Sequence, residues 1–199
     1  MPVSMSLAEA GDMGPTARKE HAQRDAVLAA MGCKNVHLVE QIHSRKIVSC
    51  DAVANNSERL QADGIWGKAG QTAAVTVADC MPIAVFEHGS GLWALLHSGR
   101  KGTGILRDAL ELLLAESRKA ENAHGVAQQI FSVLLGPCIQ GRNYPVDFVC
   151  AEEFAQEWGR NCLCTAGEGL GIDLRQANLN ILESFGVQDV YIYDDCTYE

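Results

Sequence analysis

Ile83-Ala84-Val85-Phe86-Glu87-His88-Gly89-Ser90-Gly91-Leu92-Trp93-Ala94-Leu95-Leu96 sets two apolar runs around a glycine-bearing turn. The runs, Ile83 to Phe86 and Leu92 to Leu96, are separated by His88-Gly89-Ser90-Gly91, which reads as a hairpin turn. Upstream, Thr72 to Ala78 is a β-branched run that predicts a strand leading directly into Asp79-Cys80-Met81-Pro82. Pro82 has no amide hydrogen, so it fits an edge, a strand start or a turn rather than a central ladder. Downstream, His97-Ser98-Gly99-Arg100-Lys101-Gly102-Thr103-Gly104 runs into Ile105, Leu106, Ala109, Leu110 and Leu113, which recur at helical spacing.

Further toward the N-terminus, residues 1–15 show no periodicity, and Thr16 to Met31 predicts a short amphipathic helix stopped by Gly32. Val36 to His43 alternates as a strand does, Lys46 to Cys50 reads as a second strand, and Asn55 to Gln61 as a loop. Toward the C-terminus, Ile130 to Leu135 predicts a buried strand ended by Gly136-Pro137. A helix follows Asp147 as its cap, and another follows Asp173-Leu174-Arg175-Gln176, which resembles a capping box. Val190 to Tyr193 closes the pattern as a short strand. No repeat, low-complexity tract or long linker divides the chain, so one α+β domain over residues 1–199 is expected, with mixed sheets flanked by helices.

The 199 residues are 47% hydrophobic and 21% charged, enough for one sizeable core. A net charge of -9 argues against a nucleic-acid footprint, which needs a basic face. No apolar run approaches a membrane span, and Met1 to Ser6 has no charged and then apolar leader pattern, so cytoplasmic residence is expected. In that reducing setting the eight cysteines read as packed thiols, metal ligands or nucleophiles rather than disulfides.

Candidate chemistry gathers at His43, Cys80 and His97, each at a predicted strand end. Two imidazoles and a thiol can hold a zinc ion and leave a fourth position open. The same atoms also suit a nucleophilic Cys80 with His43 or His97 as base and Asp79 orienting the imidazole. His37 shares a predicted strand face with His43 but would stand roughly 20 Å from it, too far to ligate the same ion. The glycine-rich turn from Gly99 to Gly104 opens a helix, a place where amide hydrogens and the helix dipole favour anions, and Arg100 and Lys101 add charge there. Cys162-Leu163-Cys164 with Cys196 is a lesser candidate for a structural ion, and His21 and His124 read as solvated.

Taken together, Gln41-Ile42-His43, Ala62-Asp63-Gly64, Ala78-Asp79-Cys80-Met81-Pro82, His97-Ser98-Gly99-Arg100-Lys101-Gly102-Thr103, Gly136-Pro137-Cys138-Ile139, Arg142-Asn143-Tyr144, Asp173-Leu174 and Ala177-Asn178 resemble the YfiH-like family. That family was long labelled laccase or polyphenol oxidase and is now understood as purine nucleoside phosphorylase. The resemblance implies a four-layer α/β/β/α arrangement and zinc held by His43, Cys80 and His97. The anion-favouring turn would then place phosphate and substrate at Arg100, Lys101 and Gly102 beside the ion, with Gln41 and Asp79 in support. The implied reaction is phosphorolysis of adenosine, inosine or guanosine, with methylthioadenosine cleavage and adenosine deamination beside it. Copper oxidase chemistry fits poorly, because multicopper sites rely on many imidazoles, commonly as His-x-His, and the six histidines here include no such pair.

Departures from the family pattern bear on the site. Where the family reads His-Ala-Gly-Trp-Arg-Gly, this chain has Arg100 for the Trp and Lys101 for the Arg, and Lys lacks the bidentate fork. Tyr144-Pro145-Val146 stands for Tyr-Glu-Val. Ser6-Leu7-Ala8 aligns with a segment that other members precede with strands, and Cys196-Thr197-Tyr198-Glu199 precedes their Arg-bearing last strand, so a member trimmed at both termini is expected. A homo-oligomer whose neighbouring subunit replaces those strands follows as an expectation. Two rival functions remain beside the phosphorylase: an amidohydrolase using Cys80 or zinc-bound water, of the peptidoglycan-precursor editing type, and a non-catalytic zinc-binding protein.

Overall fold

The computed structural model describes residues 2–5, 21–119 and 131–198. Its strands are β1 (Val36–His37), β2 (Ile47–Ser49), β3 (Gly64–Gly67), β4 (Thr72–Ala73), β5 (Met81–Glu87) and β6 (Trp93–Ser98). They continue with β7 (Phe131–Leu135), β8 (Pro145–Val146), β9 (Leu163–Ala166), β10 (Gly169–Ile172) and β11 (Asp189–Ile192). The helices are α1 (His21–Ala30), α2 (Cys50–Ala54), α3 (Ile105–Lys119), α4 (Phe148–Trp158) and α5 (Leu174–Ser184).

The hairpin β5–β6 forms as its apolar runs predict, with Ile83 opposite Leu96 and Val85 opposite Ala94. It lies inside a six-stranded mixed sheet of order β11-β7-β5-β6-β3-β2, antiparallel through its middle and parallel at both edges. Met81, Ile83 and Val85 on β5, with Ala94 and Leu96 on β6, point to one face and are fully buried. There they meet Ile105, Leu106, Ala109, Leu110 and Leu113 of α3 and Ala177, Ile181 and Leu182 of α5. Full burial of each large side chain in this interface contributes about 1.5–3 kcal/mol, which makes it the main source of stability. The opposite face holds a smaller cluster of Val39, Cys50, Ala62, Ile65 and Trp93, joined by Phe86 and Leu95. Beyond it stand the short parallel β1–β4 ladder and α1, whose Arg24 is buried in a crevice lined by Leu38, Val39 and Thr76. The architecture is α+β, with mixed sheets between helices as expected. A three-stranded sheet, β8-β10-β9, completes the fold beside α4.

Three local expectations need correction. Pro82 sits in a central strand, but as its second residue: pairing with β7 begins only at Ile83, and the Pro82 carbonyl accepts the Gly136 amide at 2.9 Å. The strands expected over 36–43 and 72–78 shorten to β1 and β4. The Gln41 side chain replaces the ladder between them, accepting from Thr76 N and Oγ1 at 2.8 and 2.9 Å and donating to Thr76 O at 2.8 Å. The box at Asp173 is half formed: its carboxylate accepts the Gln176 amide, while the Gln176 side chain turns to Asn180. The helix expected over 16–31 is present from His21, and its first five residues, like His124, lie outside the described residues. Among the described residues no helix is long and apolar enough to cross a membrane.

Candidate functional site

Sheet order explains how residues far apart in sequence meet. Strand β6 runs antiparallel to β5 and β3, and β2 runs parallel to β3. One end of the sheet therefore collects the start of β5 after Cys80, the end of β6 at His97, the start of β3 after Asp63, and the segment 42–46 before β2. The donor atoms of His43, Cys80 and His97 all lie within 4.8 Å of one another, and this is the one such group found among the described residues. The two imidazoles meet edge to face, with centroids 4.9 Å apart.

Asp63 organises this cluster. Its carboxylate is fully buried and accepts the amides of His43 at 2.9 Å and Ser44 at 2.6 Å, together with the Ser44 hydroxyl at 2.7 Å. It also accepts Nδ1–H of His97 at 2.9 Å. The backbone carbonyl of Asp63 takes the His97 amide at 2.7 Å, so one residue fixes His97 at both ends. These bonds also hold His43 at φ 58, a left-handed conformation unfavourable for a residue with a side chain. Burial pushes the Asp63 carboxyl up, but the bonds from His97, Ser44 and His43 outweigh it and hold the group below the ordinary carboxylate range. Burial likewise lowers His97, against the pull of Asp63. Both directions describe one state, a neutral His97 donating Nδ1–H to an ionised Asp63, with the Nε2 lone pair left for a metal.

Cys80 is partly buried. Burial, then Asp79, then Asp63 raise its thiol above the ordinary value, the wrong direction for a free nucleophile. A cation among the three donors would reverse that balance. Gly99 makes the close approach possible: a Cβ there would stand 2.6 Å from Cys80 Sγ and 3.7 Å from the His43 ring. Tetrahedral zinc needs nitrogen and sulfur donors about 3.5 Å apart, a modest side-chain adjustment from the separations present. The donor types, their spacing and the locked His97 tautomer fit such an ion.

Arg100 and Lys101 are both exposed on the turn beside the trio. The Arg100 guanidinium lies against the Tyr144 hydroxyl; burial raises that phenol, and the Arg100 charge opposes the rise. Gly102 is differently placed: its amide bonds Gly99 O at 3.0 Å and a Cβ on it would meet Ser44 O at 2.8 Å, so it closes the turn against Ser44. Over the first turn of α3 lies Arg45, paired through two bonds with Asp108. Gln41 braces the segment before His43 through Thr76. Asp79 touches no imidazole; its carbonyl takes the Ile139 amide at 2.9 Å and its carboxylate the Thr197 hydroxyl at 3.2 Å. The carboxylate that orients an imidazole is Asp63, and its signal in the sequence is an acid set between Ala62 and Gly64 in an apolar run. His37 stays apart, Nδ1 bonded to Thr72 O at 2.8 Å. Cys162 packs on Trp158 O, while Cys196 accepts from Gln140 and Asn143, so no structural-ion site joins them.

Residues 6–199 match the family model described as multi-copper polyphenol oxidoreductase laccase. A purine nucleoside phosphorylase of Mycobacterium tuberculosis is 29% identical over 181 residues, spanning 88% of this chain and 69% of that protein. Among solved structures, Neisseria meningitidis protein NMB0706 superposes with a TM-score of 0.75 at 22% identity, covering 94% of this chain and 75% of that one. The hypothetical protein YfiH of Bacillus licheniformis gives 0.74 at 18% identity over the same shares. Sequence and fold agree, and the chain belongs to the family described as multi-copper polyphenol oxidoreductase laccase, built on the fold of YfiH.

Proposed function

We propose that this protein is a zinc-dependent purine nucleoside phosphorylase of the cytoplasm, acting on adenosine, inosine or guanosine with inorganic phosphate. Adenosine deamination and methylthioadenosine cleavage accompany that activity in the proposal. The observation that carries this reading is the meeting of His43, Cys80 and His97 at one sheet end, with Arg100 and Lys101 on the adjoining turn. The relatives named purine nucleoside phosphorylase supply the reaction class.

Zinc fits these donors better than copper. A His2Cys set can also serve a blue-copper centre, but such a centre adds a weak axial thioether. The nearby candidate, Met81, is buried in the helix-side core, where its sulfur is 3.9 Å from Asn178 Nδ2. Bound zinc would supply Lewis-acid polarisation of a substrate oxygen. The chain's own residues would do the rest. Arg100 and Lys101 would hold the phosphate dianion, Asp63 would keep His43 and His97 in register, and the burial of Cys80 and His97 would limit water. In the reaction, an oxygen of hydrogen phosphate bonds to C1′ of the ribose as the bond from C1′ to the purine nitrogen breaks; the purine leaves with the electron pair and gains, through solvent, the proton that the phosphate loses, which gives the free base and ribose 1-phosphate.

The test is zinc content of the purified protein together with base release from a nucleoside panel, with and without phosphate, beside Cys80→Ala. Release that requires phosphate and disappears with Cys80 supports the proposal. Phosphate-independent turnover would point to hydrolysis, and full zinc occupancy without turnover to a binding protein.

A further inference from the structure

On the helix side of the sheet, behind the trio, one side chain reaches both strands that carry its members. Asn178 of α5 is fully buried. Its Nδ2 donates to Leu174 O at 2.8 Å, and it lies 3.5 Å from Ser98 Oγ and 3.9 Å from Met81 Sδ. Met81 and Ser98 face each other as the last rung of the β5–β6 ladder. Each follows directly on a member of the trio, Met81 on Cys80 and Ser98 on His97. Alternation along β6 sends Ser98 toward the helices and His97 to the other face. Asn178 thus sits behind the rung beyond which the two strands open into the site.

Helix packing alone does not explain an asparagine here. The neighbours of Asn178 on α5, Ala177, Ile181 and Leu182, are apolar and belong to the main core. Its Oδ1 is buried without a hydrogen-bond partner. A leucine would fill similar volume without leaving a polar atom unpaired, a cost that evolved cores usually avoid. What Asn gains is the link to Ser98 and Met81. That link matters because the ends of these strands have little slack: Gly99, opposite Cys80, leaves no room for even a Cβ against Sγ.

We infer that Asn178 is a positioning residue of the candidate metal centre, tying the Met81–Ser98 rung to α5 so that Cys80 and His97 keep their separation. The inference rests on the metal reading of the trio. It is tested on the full chain as wild type, Asn178→Leu, Ser98→Ala and the double variant. Three quantities are read: zinc affinity by chelator competition, the thermal midpoint of the zinc-free protein, and the rate at which iodoacetamide labels Cys80, followed by peptide mass spectrometry.

Asn178→Leu is expected to weaken zinc affinity about 10–100-fold, the usual range for a residue that supports metal ligands. It should also change the Cys80 labelling rate, while the midpoint moves little because the unpaired carbonyl is removed as well. Ser98→Ala should shift affinity and labelling in the same direction. The double variant should be no worse than the more affected single one, because both act through one link. Affinity and labelling equal to wild type in folded Asn178→Leu, or fully additive losses in the double variant, overturn the inference. If Asn178→Leu does not fold, Ser98→Ala decides, and wild-type affinity and labelling there overturn it. A wild-type protein that takes up no zinc would sink the metal reading separately, and the labelling rates alone would then judge Asn178.

Discussion

Replacing Asp63 with Ala should be the most damaging single change outside the large hydrophobic core. In the folded protein this carboxylate receives the His43 and Ser44 amides, the Ser44 hydroxyl and the His97 imidazole, all at 2.9 Å or less. Truncation leaves these donors without an acceptor at a fully buried position. Each buried group left unsatisfied costs about 1–3 kcal/mol, but the costs are not additive, since Ser44 can turn and water can enter. About 4 kcal/mol is the expected loss, less than the sum over the orphaned donors. In a chain of this size that lowers the thermal midpoint by roughly 8–16 °C. Asp63→Asn keeps the volume and one acceptor but must turn an NH2 group toward another donor, so it should lose about half as much. Zinc affinity should fall about 10–100-fold in both variants, because His97 loses its fixed tautomer. The sign with pH is set by the depressed Asp63 carboxyl. Its stabilisation is present above the unfolded value of about 3.9 and lost as pH falls through the lower folded value, so wild type and Asp63→Ala should converge in acid. Calorimetry of zinc-free protein across pH, with chelator competition at neutral pH, measures both effects. A midpoint within about 2 °C of wild type, or an unchanged zinc affinity, would refute the organising role of Asp63.

Gly99→Ala should weaken zinc binding at least about tenfold with little change in the metal-free midpoint, because the new methyl displaces Cys80 Sγ rather than the core; chelator competition and calorimetry check the two halves. His37→Ala should leave zinc affinity at the wild-type value, since His37 bonds Thr72 O away from the trio, and a loss in the same titration would contradict the assignment. Glu87→Gln should cost about 1–2 kcal/mol at neutral pH. Burial pushes the Glu87 carboxyl up, but bonds from Ser90, Gly89 and Ser117 hold it below the ordinary range. Its contribution is therefore present above the unfolded value of about 4.3 and lost as pH falls through the folded one, and urea melts at several pH values should show the difference closing in acid.

The elements that could be read from the sequence are those whose apolar period is continuous and whose ends carry caps. The hairpin of β5 and β6 is one, and α3, α4 and α5 are others, with Asp147 and Asp173 accepting the amides their positions suggest. The alternating run 36–43 misled because period alone ignores competition for the backbone: Gln41 satisfies Thr76 with its own amide, and the chain turns at His43 to reach Asp63. His43, Cys80 and His97 each stood at the end of a predicted strand, but their long intervals could not show that they converge; only the family resemblance implied it, and the sheet order brings their donor atoms together. Asp63 was not legible, since a buried acid shows in sequence only as a polar interruption and its partners come from two other segments. Asp79 stood beside Cys80 and looked the better acid, yet its carboxylate is taken by the Thr197 hydroxyl, a partner more than a hundred residues away in sequence. Arg45 escaped notice for a similar reason, its partner Asp108 lying on a different element.

Zinc content and phosphate dependence, measured on one purified sample, decide whether His43, Cys80 and His97 form the centre of a phosphorylase. The expected result is about one zinc per chain, and release of free base from adenosine, inosine or guanosine only when phosphate is present, with both zinc and activity lost in Cys80→Ala. Base release that continues without phosphate, or a Cys80→Ala protein that keeps full zinc and full activity, would contradict it.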